Sequence, residues 1–299
     1  MTKNNNFAKR KKQYFCTSDG IKIAYSTNFT KIRKTEPVFV FNYGLVCNNS
    51  HWKEQYNFFD KKGFQLLLHD YRCHHESTCC TKISHLTFEN IANDINELVI
   101  HVGGSKIILF GHSMGVNVSL EFASKFPRKT KGLILLSGTI RSPQDIMFDT
   151  NIIRFVFPYI EWLRDKAPKL FNTIWKTCFI NPLIIKTIHQ SGFNKHRIPE
   201  EVIIHYLKNI SKLPPQVFFQ LFKEMNLHDI GKSLKKIKKP SLVVGGNNDK
   251  IIPPHLQRKL HKLLPNSEIY IIKNGSHMPH LDYPVPINKR ILKFIEKNF

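Results

Sequence analysis

One short segment of the sequence carries the residue types needed for nucleophilic chemistry: Gly111-His112-Ser113-Met114-Gly115. A serine hydroxyl becomes a nucleophile when a nearby base takes its proton, and a sharp strand-to-helix turn holds it within reach of that base. Gly111 and Gly115 leave room for such a strained turn, which side chains would crowd. Ser113 is therefore the candidate nucleophile.

The residues on either side of this segment predict the elements that the turn requires. Lys106–Phe110 has the pattern of a buried strand, and Met114–Lys125 that of a helix. The helix N-terminus then lies under the reacting oxygen, so the backbone N–H of Met114 can donate to a developing oxyanion. We expect His112 to point away from Ser113 and to support the turn. The alternative is an ordinary glycine-rich turn without chemistry.

Strand and helix patterns alternate along most of the chain. Buried strands are predicted at Val38–Phe41, Gln65–His69, Lys106–Phe110, Gly132–Leu136, Ser241–Gly245 and Glu268–Ile272. Helices are predicted at His51–Asp60, Thr87–His101, Met114–Lys125, Pro254–Leu264 and Pro284–Asn298. This alternation predicts an α/β fold with a mostly parallel sheet and helices on both faces. Gln13–Thr17 and Ile21–Thr27 flank a turn signal, which predicts an antiparallel hairpin at one sheet edge and eight strands in all.

Residues 141–232 break the alternation, because their pattern is helical and rich in aromatic residues. We interpret them as a helical lid inserted after the sixth strand, with residues 1–140 and 233–299 forming a single-domain core. Prolines in this segment are expected to end short helices. Most of its aromatic side chains should serve packing, but Phe148, Trp162 and Trp175 are candidates for the substrate pocket.

The composition is strongly basic, since 45 Lys and Arg against 22 Asp and Glu give a net charge of +23 over 299 residues. Such a charge favours weak association with an anionic membrane surface. The lysines are nevertheless spread along the whole chain, so a solvated surface is the default interpretation. The densest basic stretches, Lys9–Lys12 and Lys232–Lys239, fit no nucleic-acid-binding motif. No sequence feature indicates an oligomeric state.

No apolar stretch approaches the roughly 20 residues of a membrane-spanning helix, and Met1–Lys12 is polar and basic. We therefore expect a cytoplasmic protein without a secretory signal. The six cysteines are irregularly spaced and are interpreted as free thiols. Cys79 and Cys80 lie near several histidines, but their spacing matches no zinc motif, so we predict no metal.

The run from Val38 to Phe299 resembles the α/β-hydrolase superfamily, particularly its bacterial esterase-like members, in which nucleophile, acid and histidine follow in that order along the chain. The segment from Val243 to Pro253 resembles the loop whose aspartate, followed by an apolar residue and proline, orients the histidine. This resemblance assigns the acid to Asp249. Asp229 and Asp145 are the weaker alternatives.

The segment from Asn274 to Pro284 resembles the catalytic-histidine loop of the same superfamily and the helix that follows it. The resemblance assigns the general base to His277. His280 is the competitor, but it falls where the superfamily usually has a structural or pocket-rim residue.

The remaining matches concern the oxyanion hole and a second loop that resembles the superfamily. The segment Asn42-Tyr43-Gly44-Leu45 stands where the superfamily commonly has His-Gly, so Tyr43 replaces the histidine and becomes a candidate pocket residue. The second oxyanion donor is then the backbone N–H of Leu45. Asp70 and Arg72 match a loop of the superfamily in which both glycines are replaced here, and we expect them to be structural.

The resemblance implies hydrolysis of a carboxylic ester through an acyl-enzyme, with neither metal nor organic cofactor. A serine nucleophile argues against the dehalogenase and epoxide hydrolase branches, which use aspartate. We expect a small-molecule substrate, a small apolar or medium-chain ester. Lipase or lysophospholipase activity on membrane-derived lipid, and a non-catalytic receptor for a small ligand, are the alternatives; lactonase, thioesterase, C–C hydrolase, aminopeptidase and acyltransferase activities also stay open.

Overall fold

A computed structural model describes residues 6–140, 152–178, 181, 186, 193–194, 196–198, 201, 203–204, 207–208 and 211–299. Its centre is an eight-stranded sheet in the order β1-β2-β4-β3-β5-β6-β7-β8. The strands are β1 Gln13–Cys16, β2 Lys22–Thr27, β3 Val38–Asn42, β4 Gln65–His69, β5 Ile107–His112, β6 Thr130–Leu136, β7 Ser241–Gly246 and β8 Ser267–Ile272. The prediction of an eight-stranded, mostly parallel sheet is confirmed.

Six strands, β3 to β8, run parallel, and every residue of β3, β4, β5 and β7 is buried. Val40 of β3, for example, pairs with Leu67 of β4 on one side and Leu109 of β5 on the other. Continuous apolar runs are expected of strands that are covered on both faces. The carboxyl ends of β3, β5, β7 and β8 therefore meet along one edge of the sheet.

The predicted hairpin forms one lateral edge of the sheet, beside β4. Strands β1 and β2 are antiparallel, and β2 also pairs antiparallel with β4. Gly20 supplies a positive φ of 83° in the connecting turn, where Thr17 N–H donates to Ile21 O at 2.9 Å. A glycine adopts this conformation without steric cost.

The described helices flank the sheet. They are α1 Asn6–Lys9, α2 Lys53–Lys61, α3 Phe88–His101, α4 Met114–Lys125, α5 Ile152–Lys166, α6 Pro168–Cys178, α7 Pro215–Leu227, α8 Gly231–Leu234, α9 Pro254–Leu263, α10 Pro279–Asp282 and α11 Pro284–Asn298. Thr87 caps α3 by accepting a hydrogen bond from Asn90 N–H at 3.1 Å. Helix α2 begins two residues later than predicted, because Asn49–Trp52 forms a 3₁₀ turn capped by Asn48.

Helices α5 to α8 lie between β6 and β7. Helices α5, α6 and α7 fall within the segment predicted to be a lid, and α8 spans its predicted end. A cluster of five buried aromatic residues joins α5, α6 and α7: Phe157, Phe171, Trp175, Phe219 and Phe222. Pro158 lies inside α5 and does not end it, contrary to the expectation that prolines bound short helices here. The assignment of residues 141–232 to a separate lid stays a prediction. Within the described residues, no helix has the length and apolar character needed to cross a membrane.

The prediction that all six cysteines are free thiols is wrong, because Cys73 and Cys79 form a disulfide. The physical reason is a tight turn in which Cys73 adopts a positive φ of 64° and its N–H donates to Thr78 O at 3.0 Å. This bond brings the two ends of the turn together. The Cys80 sulfur lies 3.2 Å from that of Cys73, so three sulfur atoms cluster at this turn, two of them bonded to each other.

Candidate active site

Ser113 lies at a sharp turn between the end of β5 and the start of α4. Its φ of 54° and ψ of −120° are unusual for a residue with a side chain, and its N–H donates to Leu136 O of the neighbouring strand at 2.9 Å. Gly115 approaches β3 so closely that a Cβ there would lie 2.1 Å from Asn42 O. Gly111 is equally constrained, since its Cβ would lie 2.5 Å from Gly115 O. The close packing of this turn thus requires both glycines.

The structure brings together the three side chains that were predicted to cooperate. His277 Nε2 lies 3.0 Å from Ser113 Oγ. On the other side of the ring, Nδ1 lies 3.0 and 3.1 Å from the two carboxylate oxygens of Asp249. An ionised carboxylate only accepts hydrogen bonds, so Nδ1 carries the proton and Nε2 is left as the acceptor facing the serine hydroxyl.

Asp249 is buried and held in place by several donors besides His277. Its Oδ1 accepts from the N–H of Ile251 at 3.0 Å and of Ile252 at 2.8 Å. Its Oδ2 accepts from Gln257 Nε2 at 3.2 Å, and the same amide nitrogen donates to Ile252 O at 2.9 Å. Gln257 on α9 was not predicted, since no local pattern indicates that a glutamine eight residues downstream reaches back to the loop.

The loop that carries His277 is held by hydrogen bonds before, at and after this residue. Asp282 Oδ2 accepts from Ser276 N–H at 2.6 Å, and Ser276 Oγ accepts from Met278 N–H at 3.2 Å. His112 Nε2 lies 3.0 Å from His277 O. Burial holds the pKa of His112 well below its usual value, so its neutral ring donates to that carbonyl. The expected supporting position of His112 agrees with this contact.

The competing residues lie elsewhere. His280 is fully buried, with its ring 4.9 Å from that of Trp52 and 4.7 Å from that of His112. Burial also holds the pKa of His280 well below its usual value. Asp229 is exposed and accepts a hydrogen bond from Gly231 N–H at 3.3 Å. Asp145 lies outside the described residues.

The loop after β3 lies against the nucleophile. A Cβ on Gly44 would lie 3.1 Å from the Cβ of Ser113, so the backbone that leads to Leu45 passes directly beside the serine. Tyr43 is not among the described residues that line the cavity beside Ser113. Its side chain is fully buried, its hydroxyl accepts from Tyr71 N–H at 3.0 Å, and its carbonyl accepts from Tyr71 Oη at 2.9 Å. Tyr43 therefore anchors the loop from behind.

A cavity of about 150 Å³ opens beside Ser113 and His277. Its walls are mostly apolar and come from the loop after β3, from α7, and from the loops that carry Asp249 and His277. The lining residues are Gly44, Leu45, Val46, Cys47, His112, Ser113, Phe218, Phe222, Met225, Ile251, Ile252, His277 and Met278. Phe218, Phe222 and Met225 recur at helical spacing on α7. They were not predicted as pocket residues, although this periodicity indicates that they share one face of the helix.

The aromatic residues proposed for the pocket do not line this cavity. Trp162 is 60% exposed on α5. Trp175 is buried one layer behind the wall, where its ring lies 5.1 Å from that of Phe218 and its Nε1 donates to Leu213 O at 2.9 Å. Neither tryptophan is among the described residues that line the cavity, and their part in substrate binding stays a prediction. Phe148 lies outside the described residues.

Asp70 and Arg72 make the structural contacts that were expected. Arg72 Nε donates to Asp94 Oδ2 at 2.7 Å, and Arg72 also pairs with Asp19 at 3.0 Å. Burial raises the pKa of the Asp94 carboxyl to about 6 in spite of the guanidinium beside it. Asp70 Oδ1 accepts from Asn49 Nδ2 at 2.9 Å, which ties the loop after β4 to the one after β3.

Comparison with known proteins places this geometry in a family. The model of the alpha/beta hydrolase fold matches residues 37–284. The uncharacterized hydrolase YugF of Bacillus subtilis is 29% identical over 220 residues, which cover 70% of this chain and 72% of YugF. The bifunctional esterase/perhydrolase DCH of Acinetobacter calcoaceticus is 22% identical over 94% of this chain and 99% of its own length.

Among solved structures, an esterase from Exiguobacterium antarcticum superposes with a TM-score of 0.76 at 19% identity, covering 96% of this chain and 100% of the esterase. At that identity the likeness concerns the fold alone. The family match spans most of the chain, from just before β3 to the start of α11. The chain therefore belongs to the alpha/beta hydrolase fold family.

Proposed function

We propose that this hydrolase cleaves carboxylic esters through an acyl-enzyme on Ser113. The observation that carries the proposal is the continuous hydrogen-bonded chain from Ser113 Oγ through His277 to Asp249, with contacts of 3.0 Å at each step. In this arrangement His277 Nδ1 donates to Asp249, so Nε2 faces the serine hydroxyl as the acceptor and can act as a base.

In the first half of the reaction, Ser113 Oγ attacks the acyl carbon while its proton passes to His277 Nε2. The imidazolium then gives that proton to the departing alcohol oxygen, which leaves the acyl group on the serine. Asp249 stabilises the imidazolium without taking its proton. In the second half, a water molecule attacks the acyl-enzyme by the same route and releases the acid.

The oxyanion hole belongs to the same proposal. We assign its donors to the backbone N–H groups of Leu45 and Met114. The close approach of Gly44 to Ser113 supports the first assignment, and the position of Met114 as the first residue of α4 supports the second. Neither donor is a side chain, so the presence of tyrosine at position 43 leaves the hole intact.

The cavity favours a small apolar group on the substrate. Its volume of about 150 Å³ lies below the roughly 300–1,000 Å³ typical of sites for drug-sized ligands. Burying such a group against Phe218, Phe222 and Met225 contributes binding energy in proportion to the apolar area covered. We therefore propose a short-chain or small aryl ester as substrate. The esterase names of the relative DCH and of the Exiguobacterium antarcticum structure support the ester chemistry.

Labelling with a fluorophosphonate probe tests the nucleophile and its base. The wild-type protein should be modified on Ser113, and both Ser113→Ala and His277→Ala should abolish labelling. His255→Ala is the matched control, because His255 is exposed on α9 and is not among the described residues that line the cavity, and it should label normally. Labelling that survives His277→Ala would refute the assigned base, and an unlabelled wild-type protein would favour a non-catalytic receptor.

Turnover of p-nitrophenyl esters of graded chain length tests the substrate class. Acetate and butyrate esters should give higher kcat/KM values than decanoate, because the cavity beside Ser113 is small. A maximum at the decanoate ester would contradict the proposed size limit while leaving the nucleophile in place.

A further inference from the structure

Helix α5 presents its most aromatic stripe to solvent. Phe155, Tyr159 and Trp162 recur at spacings of four and three residues, so they lie on one face of the helix, and they are 64%, 75% and 60% exposed. These three residues are called the outer α5 face below. Burial of large apolar groups is favourable, so a contiguous exposed stripe of this kind indicates a surface that something else covers.

The opposite face of α5 accounts for the attachment of the helix to the rest of the chain. Phe157 is buried against α7, with its ring 4.5 Å from that of Phe222. Arg164, seven residues along the same side, lies over the ring of Phe219 at 4.7 Å. These inward contacts of α5 are made without the outer α5 face, so the packing of α5 on α7 does not account for its exposed aromatic residues.

The charges beside the outer α5 face are positive. Lys166 continues the same stripe at the end of α5, and Lys169 and Lys176 are exposed on α6. The two acidic residues of α5, Glu161 and Asp165, lie 3.6 and 2.8 Å from Arg164, which offsets one of their two charges. Over α5 and α6 together, five basic residues outnumber these two acidic ones. The whole chain carries a net charge of +23. The chemistry that complements this surface is an apolar phase with anionic groups at its boundary.

We infer that the outer α5 face docks on the surface of an anionic phospholipid bilayer. Tryptophan and tyrosine rings favour the boundary between headgroups and acyl chains, since each has an apolar body and a polar edge. Exposed lysines beside them are attracted to anionic headgroups. Helix α5 then lies along the bilayer surface, its inward side still packed on α7.

Docking in this orientation bears on the substrate of the proposed reaction. Phe222 of α7 contacts Phe157 of α5 and, together with Phe218, also lines the cavity. An ester that partitions into the bilayer is thus concentrated one helix away from Ser113. This last step rests on the proposed function, whereas the docking itself does not.

The tryptophan distribution allows a direct test. The chain has three tryptophans, of which Trp52 and Trp175 are buried and Trp162 is 60% exposed. Full-length Ser113→Ala protein, which cannot consume lipid by the proposed route, is mixed with vesicles of phosphatidylcholine alone or with phosphatidylglycerol added. We expect a blue shift and quenching by brominated acyl chains with the anionic vesicles, and loss of both changes in Trp162→Phe.

A pair of variants with equal charge separates docking by this face from general attraction. Tyr159→Glu and Ile100→Glu each add one negative charge, and Ile100 is an exposed residue of α3, outside this surface. Tyr159→Glu should lower the vesicle partition coefficient about tenfold or more, while Ile100→Glu should change it less than about twofold. Raising the salt from about 0.1 to 1 M should weaken wild-type binding by screening the lysines.

Several outcomes would overturn the inference. The first is an equal loss of vesicle binding in Tyr159→Glu and Ile100→Glu, and the second is a Trp162 emission that does not shift when the protein is bound to vesicles. The third is a blue shift that depends on protein concentration without lipid, which would indicate that a second copy of the chain covers this face. Turnover of water-soluble p-nitrophenyl acetate is measured for Tyr159→Glu and Ile100→Glu in protein that retains Ser113. This measurement distinguishes the docking proposal from the proposed ester hydrolysis. If the protein does not bind vesicles but still turns over the ester, only the docking proposal is refuted. If it binds vesicles without turnover, only the proposed ester hydrolysis is refuted.

Discussion

Replacing His280 with phenylalanine should make the protein less sensitive to acid. Burial lowers the pKa of His69 and of His74 to about 4. The pKa values of His112 and His280 are lowered well below the ordinary value for the same reason. An imidazole in the unfolded chain titrates near about 6.5. Below that pH the unfolded chain takes up protons that the folded protein excludes, so stability present above pH about 6.5 is lost on acidification.

The size of this effect follows from the two pKa values. A histidine whose pKa is about 4 when folded and about 6.5 when unfolded costs about 1.3 kcal/mol of unfolding free energy between pH 7.5 and 5.5. The two histidines with a folded pKa of about 4, His69 and His74, together cost about 2.7 kcal/mol, and the lowered pKa values of His112 and His280 act in the same direction. Asp94, with its pKa raised to about 6, acts in the opposite direction by about 0.8 kcal/mol. The net loss from His69, His74 and Asp94 is about 1.9 kcal/mol, a considerable part of the roughly 5–15 kcal/mol typical of a folded protein.

Substitution of His280 measures the contribution of one buried histidine to this pH dependence. Within the described structure neither of its ring nitrogens has a hydrogen-bond partner, and the ring packs on Trp52 and His112. Phenylalanine fills nearly the same space, so His280→Phe should change stability little at pH 7.5 and should reduce the loss at pH 5.5. The reduction can reach at most about 1.4 kcal/mol, the limit set by an imidazole whose pKa in the unfolded chain is about 6.5.

Urea unfolding at the two pH values, followed by tryptophan fluorescence, measures the difference. The exposed His255→Gln is the control and should keep the wild-type pH dependence. An unchanged pH dependence in His280→Phe would show that this imidazole titrates alike in the folded and unfolded chains, and the reasoning from burial would fail.

Three further predictions concern the site and its framework. Asp249→Asn should lower kcat on p-nitrophenyl butyrate by about 10⁴-fold with intact folding by circular dichroism, because the amide no longer fixes the required tautomer. Gly115→Ala should abolish soluble folded protein, since its Cβ would lie 2.1 Å from Asn42 O, whereas Gly231→Ala meets only an ordinary contact at 3.4 Å. Phe222→Ala should raise kcat/KM for longer acyl esters relative to acetate by about tenfold, measured across the same ester series.

The elements of the core could be predicted because their patterns are local. Gln65–His69 and Met114–Lys125 have the predicted bounds, since a continuous apolar run and a periodic one are visible in the sequence itself. The proximity of Ser113 to His277 is not local, because 164 residues separate them. It could be expected only because parallel strands bring their carboxyl ends to one edge, and because the order of the motifs resembles a known family.

What escaped prediction depends on chain path and packing. The disulfide joins Cys73 to Cys79 because a turn with positive φ at Cys73 folds the loop back on itself, and the cysteine count and spacing carry no trace of that turn. Gln257 reaches Asp249 from the first turns of α9 only because the loop between them is compact. Neither contact has a periodic signature.

The positions of the aromatic residues of α5 could not be predicted for a different physical reason, which also bears on the surface of the molecule. Helix α5 carries aromatic residues on two opposite faces, so periodicity alone cannot select the inward one. The structure selects the face with Phe157, and Tyr159 and Trp162 are then left outside. A helix that only had to cover α7 would need one apolar face. The second face is therefore an excess over what folding requires, and it is this excess that an anionic bilayer can use.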